Sequence, residues 1–243
     1  MIAALASVAA WVLEWWELWA LVLAGVVGTG ITPAVVGRTE PTRSLDPALD
    51  RAVADAVARA GVPADRVRVL AGGRGPVAFA AGLSPARGRV FVSERLLSNL
   101  DPDEAAGVVS HEYGHLARRH VPLRVVVPVA FALAWAVGAT LSSDPGFVVG
   151  VALVPPAAAL TVHVSRWTEH DADRFARERG DGAALAAALV ALADEGHVTD
   201  GGWLSRHPSL ASRIERLCGR AGEGEPSGRA ENAGAAGPFR RRR

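Results

Sequence analysis

The sequence predicts a mainly helical α+β fold with a small β-sheet, joined to transmembrane helices, and three observations predict it. Half of the residues are hydrophobic and the mean hydropathy is +0.20, which is more apolar than one soluble domain of this length requires. Three apolar runs, at 18–36, 121–141 and 146–164, approach the length needed to cross a bilayer. Around them lie amphipathic stretches with helix-start signals and a few short alternating runs separated by glycines.

Residues 1–37 form an N-terminal membrane segment in which the only charged side chains are Glu14 and Glu17. Trp11, Trp15, Trp16 and Trp19 cluster around these two, as aromatic residues do at a membrane interface. Residues 1–13 are too short to span comfortably. They fit an interfacial helix, part of another span, or a signal-like stretch, although no basic region precedes them.

A soluble domain begins at about residue 45. Asp46-Pro47 reads as an N-cap and first helical position, followed by apolar residues at helical spacing from Leu49 to Ala60, with Gly61 ending the run. Short alternating runs at 67–70, 76–80 and 90–92 predict a small sheet. Asp101-Pro102-Asp103-Glu104 supplies an N-cap, a proline at N1 and a capping-box acid, so a helix is expected from there to about His120. Residues 121–164 then read as a transmembrane hairpin turning at Ser142-Ser143-Asp144-Pro145, with Pro155-Pro156 kinking its second arm. A separate helix is expected at 166–179, an Ala/Leu-rich one to about Glu195, and a last one from Pro208. Residues 45–120 and 165–218 are thus two parts of one domain, and 219–243, nearly without large apolar side chains, predict a disordered tail.

Composition narrows the chemistry. The net charge of +1 arises from 26 basic residues, all arginine, against 25 acidic ones, so no global field draws the chain to nucleic acid. A lone cysteine, Cys218, excludes an intramolecular disulfide and a cysteine-rich metal site, leaving histidine and carboxylate as ligands.

The helix expected at 101–120 carries His111-Glu112-Tyr113-Gly114-His115. Residues four apart lie about 40° from each other around a helix axis, so His111 and His115 share a face and can share one ion. That is the zincin arrangement, and it makes the predicted catalytic domain zincin-type. Glu112, offset by about 100°, is placed to act as a general base on a metal-activated water rather than as a ligand. A catalytic zinc wants three protein ligands. Glu169, in Ser165-Arg166-Trp167-Thr168-Glu169-His170-Asp171-Ala172-Asp173, is the best candidate for the third. Asp173 shares its face and suits the support of a ligand histidine. Asp171, offset by about 200° from Glu169, is expected to face away. His120, His163, His170 and His197 are expected to lie outside the site, His120 because it falls opposite His111 on a continuous helix. His207, before Pro208, has two readings: in the cleft as an oxyanion stabiliser, or on the surface at a helix start.

Taken together, Val77-Ala78-Phe79-Ala80-Ala81-Gly82, the His-Glu-Tyr-Gly-His run, Ser-Arg-x-x-Glu-x-x-Ala-Asp-x-x-Ala, and His207-Pro208-Ser209 with Arg213-Ile214 resemble the HtpX membrane protease family, relatives of the CaaX prenyl proteases. The resemblance spans about 45–217, with the apolar hairpin between the two metal segments. It implies one zinc per chain, held by His111, His115 and Glu169 in gluzincin fashion, with His207 and Arg213 at the active site. It further implies a multi-pass protein of the cell membrane whose catalytic domain faces the cytoplasm and cleaves extended segments of misfolded or membrane proteins. Where relatives typically read Asn-Ala-Phe-Ala, this chain has Val77. The competing readings are a catalytically silent zinc-binding membrane scaffold or sensor, against which Glu112 argues, and a soluble zincin with an unusually apolar core.

Overall fold

The computed structural model describes residues 16–72, 75–141, 147–197, 205 and 207–219. The expectations for residues 1–15, the turn at 142–145 and the tail from 220 lie outside these. Helix α1 (Trp16–Thr39) places Leu23, Val27, Ile31 and Val35, each four residues from the next, on an exposed face. Thr29 and Thr32 return their hydroxyls to the carbonyls of Gly25 and Gly28, at 2.8 and 2.7 Å, so both hydroxyls are satisfied within the helix. Among the described residues, α1 is the one helix that is by itself long and apolar enough to cross a membrane.

Four short strands follow in the order β1-β2-β4-β3: β1 (Thr42–Ser44), β2 (Val67–Leu70), β3 (Ala78–Ala81) and β4 (Arg89–Ser93). β2 and β4 run parallel at the centre, and β1 and β3 are antiparallel edges. Val67 and Val69 with Val90 and Val92 point to one face, where they are buried against Val53 and Val57 of α2 (Arg51–Arg59) and the larger core. The opposite face carries a smaller cluster, Leu70, Ala81 and Phe91, with Phe79 stacked on Phe91 at 5.2 Å and Val36 of α1 against it. The sheet therefore sits between the helical core and α1. β1 is too short and polar to announce itself in the sequence. Helix α2 begins later than expected, because Asp46 captures the Ala48 amide at 2.8 Å and Asp50 captures that of Asp46 at 2.9 Å, closing a turn where the helix was to start.

The rest is helical: α3 (Glu94–Asn99), α4 (Pro102–Ala117), α5 (His120–Leu141), α6 (Phe147–Glu178), α7 (Gly182–Asp194) and α8 (Leu210–Cys218). α4 starts as its sequence dictates, with Pro102 in the first turn and Glu104 accepting the Asp101 amide at 3.0 Å. It does not run on to His120. The chain breaks at Arg119, a left-handed residue with φ 57°, and α5 leaves α4 at a 50° bend. Pro122 fits the break: it has no amide to give the Arg118 carbonyl and is accommodated in the first turn of the new helix. The helices expected separately at 146–164 and 166–179 are one, α6, with Pro155 and Pro156 inside it.

Two glycines let α4 lie at the centre of this bundle. A Cβ on Gly107 would stand 2.7 Å from the backbone nitrogen of Leu185 in α7, and one on Gly114 would stand 3.1 Å from the Phe175 ring of α6. At Gly107 the obstacle is backbone, whereas at Gly114 it is a side chain a few tenths of an ångström farther off. Gly107→Ala is therefore expected to destabilise the protein by about 1–3 kcal/mol and Gly114→Ala by less. Thermal unfolding of the two variants in detergent checks this order.

Candidate metal centre

His111 and His115, on the inner face of α4, meet Glu169 of α6 in the buried heart of the helical domain. One ligand atom from each of the three lies within 4.8 Å of the others. The Nε2 atoms face inward: that of His111 stands 3.7 Å from Glu169 Oε2 and that of His115 stands 3.3 Å from Oε1. The two rings meet edge to face, with centroids 4.9 Å apart. Two imidazole nitrogens and one carboxylate oxygen, converging from packed helices, fit the three-protein-ligand set of a catalytic zinc.

Both Nδ1 atoms are occupied from outside. His111 Nδ1 lies 2.9 Å from Asp173 Oδ1, and the Asp173 carboxylate in turn receives the buried Arg213 guanidinium of α8 at 2.6 and 2.9 Å. His115 Nδ1 lies 3.0 Å from His120 Nδ1, and His120 Nε2 lies 2.9 Å from Asp171 Oδ2. Arg174 pairs with the other oxygen of Asp171. Glu169 also receives Arg124 of α5 at 2.8 Å and lies 3.2 Å from Nδ1 of His207. Arg124 donates to Thr168 Oγ1 as well.

His207 sits at the mouth of the site, its side chain 69% exposed while Nδ1 reaches inward. Both sequence readings of this residue thus describe part of its position. Glu112, one residue beyond His111, is partly exposed, and its carboxyl accepts a backbone hydrogen bond from Ala80 of the edge strand β3.

The electrostatics follow from burial and from these pairings. Burial pushes the Glu112 carboxyl up to about 7, with Glu169 adding to the effect and His111 opposing it. Burial acts against a charged His111, yet its bonds to Asp173 and Glu169 prevail and raise it to about 9. Burial pushes His115 down to about 4 despite Glu169. For Glu169, burial is outweighed by bonds from His111, His115 and His207, which hold the carboxyl well below its ordinary range. The Glu169 carboxylate, held ionised between the two imidazoles, presents negative charge to a cation placed among these donors.

Two sequence expectations are corrected here. His120 is 1% exposed and packs directly behind His115. The left-handed break at Arg119 swings it back towards the motif face, which extrapolating a straight helix could not show. Asp171 does not face away into solvent but is buried against His120. The break that returns His120 to this side gives Asp171 its buried partner. The readable signal for both was Pro122, which marks the break, and Arg124 gave none. His163, His170 and His197 stay outside the ligand cluster.

Comparison with known proteins agrees with this arrangement. The chain is 31% identical over 165 residues to a protein described as "Protease HtpX homolog" from Pseudarthrobacter chlorophenolicus, covering 63% of this chain and 57% of that one. It is 31% identical over 214 residues to a second "Protease HtpX homolog", from Thermococcus kodakarensis, covering 70% and 72% of the two chains. The fold matches the crystal structure of S. mikatae Ste24p with a TM-score of 0.65 at 24% identity, over 84% of this chain and 57% of that one. The chain thus spans little more than half the length of the first of these relatives and of Ste24p. The model of peptidase family M48 matches residues 43–221, a stretch that includes every residue of the buried His–His–Glu cluster, and the chain belongs to that family.

Proposed function

We propose that this chain is a membrane-bound, zinc-dependent endopeptidase that hydrolyses peptide bonds in extended segments of misfolded or membrane proteins. The observation that carries the reading is the placement of Glu112 between the buried His111–His115–Glu169 cluster and the outer edge of β3. When bound there, a zinc ion supplies Lewis-acid polarisation of a water and of the scissile carbonyl. Everything else falls to the chain. The outer edge of β3, which pairs with no strand among the described residues, holds a peptide as an added strand, which selects extended over folded substrates. Glu112, raised to about 7, takes a proton from the attacking water and returns it to the leaving amine. His207, at the mouth of the site, stabilises the oxyanion that develops on the carbonyl. Arg213 acts at one remove, fixing Asp173 and through it the ring of His111.

Attachment to a bilayer is supported by the exposed apolar face of α1 and by Val126, Leu133, Val151, Val154 and Leu160, which α5 and α6 leave exposed. Arg38 and Arg43 follow α1 in sequence and Arg118, Arg119 and Arg166 flank the apolar stretches of α5 and α6, which supports a catalytic domain facing the cytoplasm. A cysteine at position 143, in a chain with Cys218 replaced by serine, should react with an impermeant reagent added outside intact cells. Labelling that requires access from the cytoplasm gives the reverse orientation.

Glu112→Gln is nearly isosteric but cannot accept a proton. The variant should retain bound zinc and lose cleavage of a casein-type substrate by at least about 100-fold. Bound metal and turnover are measured on one detergent-purified preparation, and turnover close to that of the parent removes Glu112 from the mechanism.

The ligand set is tested by zinc titration against a competing chelator. Glu169→Ala should abolish or greatly weaken binding, while Asp173→Ala, which frees His111 without removing a ligand, should weaken it by about 10- to 100-fold. A Glu169→Ala variant that binds zinc like the parent excludes the gluzincin set.

A further inference from the structure

We propose that His120, anchored by Asp171, is a positioning residue for the metal centre: it accepts the Nδ1 proton of His115 and so fixes which nitrogen of that ligand is free to bind metal. The proposal rests on the zinc reading above and concerns residues that neither the motif nor the ligand cluster includes.

Proton bookkeeping carries it. His115 Nε2 faces Glu169 and His111 and can ligate only without a hydrogen, which places the ring's hydrogen on Nδ1. The partner of that N–H is His120 Nδ1, 3.0 Å away, which must therefore act as acceptor. His120 can accept there only if its own hydrogen sits on Nε2, and Nε2 faces Asp171 Oδ2 at 2.9 Å, an obligate acceptor when ionised. The three residues are 5%, 1% and 6% exposed in chain order, so water does not stand in for any of these partners. Each link fixes the next, and only one arrangement of hydrogens satisfies all of them.

His111 reaches the same end by a shorter route, with a carboxylate directly on Nδ1. Behind His115 an imidazole is inserted, and the two routes leave α4 towards different elements. That of His111 runs to α8 through Arg213, and that of His115 runs to the first turn of α5. The beginning of an apolar helix, rather than the zinc motif itself, thus sets the tautomer of one ligand.

The experiment uses the full chain in detergent and reads zinc affinity by chelator competition, alongside thermal melting of the metal-free protein. His120→Leu fills a similar volume but cannot accept a hydrogen bond, and should raise the zinc Kd by about 10- to 100-fold. His120→Asn places an acceptor oxygen where Nδ1 was, and should recover most of that loss. Equal losses in the two variants, or parental affinity in His120→Leu, overturn the proposal. Asp171→Ala against Asp171→Asn tests the outer link and covers the case in which His120→Leu does not fold. Asp171→Ala should weaken zinc binding and Asp171→Asn, which keeps an acceptor oxygen, should largely retain it. Parental affinity in Asp171→Ala overturns the proposal. Failure of the parent chain itself to bind zinc tightly overturns the metal reading together with this one, whereas tight parental binding with unaffected variants overturns this one alone.

Discussion

A carboxylate buried at the meeting point of several helices is the constraint around which this structure is arranged. Glu169 is 4% exposed, and an isolated carboxylate in such a place is costly enough that it would protonate rather than remain charged. It stays ionised because positive charge and hydrogen-bond donors reach it from separate elements: the two histidines from α4, Arg124 from α5, and His207 and Arg213 from the chain at α8. None of these groups lies near Glu169 in sequence. The packing of the helices is therefore also an electrostatic assembly, and removing one partner leaves the others facing a less compensated charge. A divalent ion is the natural completion of such a cluster, since it supplies charge to carboxylate and coordination to imidazole at once.

What could be read from the sequence divides along the same line. The relation of His111 to His115 is a property of helix geometry within five residues, and Asp101-Pro102 and Glu104 announce the helix that carries them. The three longer strands were legible from alternation, whereas β1 was not, being three residues of which none is large and apolar. Glu169 became a candidate because a third ligand was needed and because its segment resembled a known pattern. Nothing local to it says that α6 will pass beside α4. The positions of His120 and Asp171 were misjudged for one shared reason. Periodicity assigns faces only while a helix continues, and it says nothing about how many sides of a helix its neighbours will cover. Arg119 ends the first condition, and His120, returned by that break, covers Asp171 and ends the second.

The apolar helices are part of the site's construction as well as its surroundings. α6 runs for 32 residues without interruption, from the apolar stretch at Phe147 through Glu169 and Asp173 to Glu178. A change of tilt in its first half is transmitted to the carboxylates of its second half, except where Pro155-Pro156 weakens the hydrogen-bond ladder. That proline pair lies more than three turns before Glu169, so it separates the apolar portion from the ligand-bearing portion. α5 has its side chains at the site in its first two turns, His120 and Arg124, and its apolar length beyond them.

Two residues of the centre keep surface that a substrate can reach. His111 and His115 have both ring nitrogens committed, inward to the cluster and outward to Asp173 and His120, and Asp173 and Asp171 are themselves held by Arg213 and Arg174. Glu112 and His207 are the exceptions. Both belong to the cluster by position, yet both keep exposed surface, one beside the edge of β3 and the other at the mouth. A site built only to bind metal has no use for a carboxylate held beside the ligands and bonded to the backbone of an edge strand. Groups that act on a substrate have to remain accessible, and these two residues keep surface that the buried ligands do not.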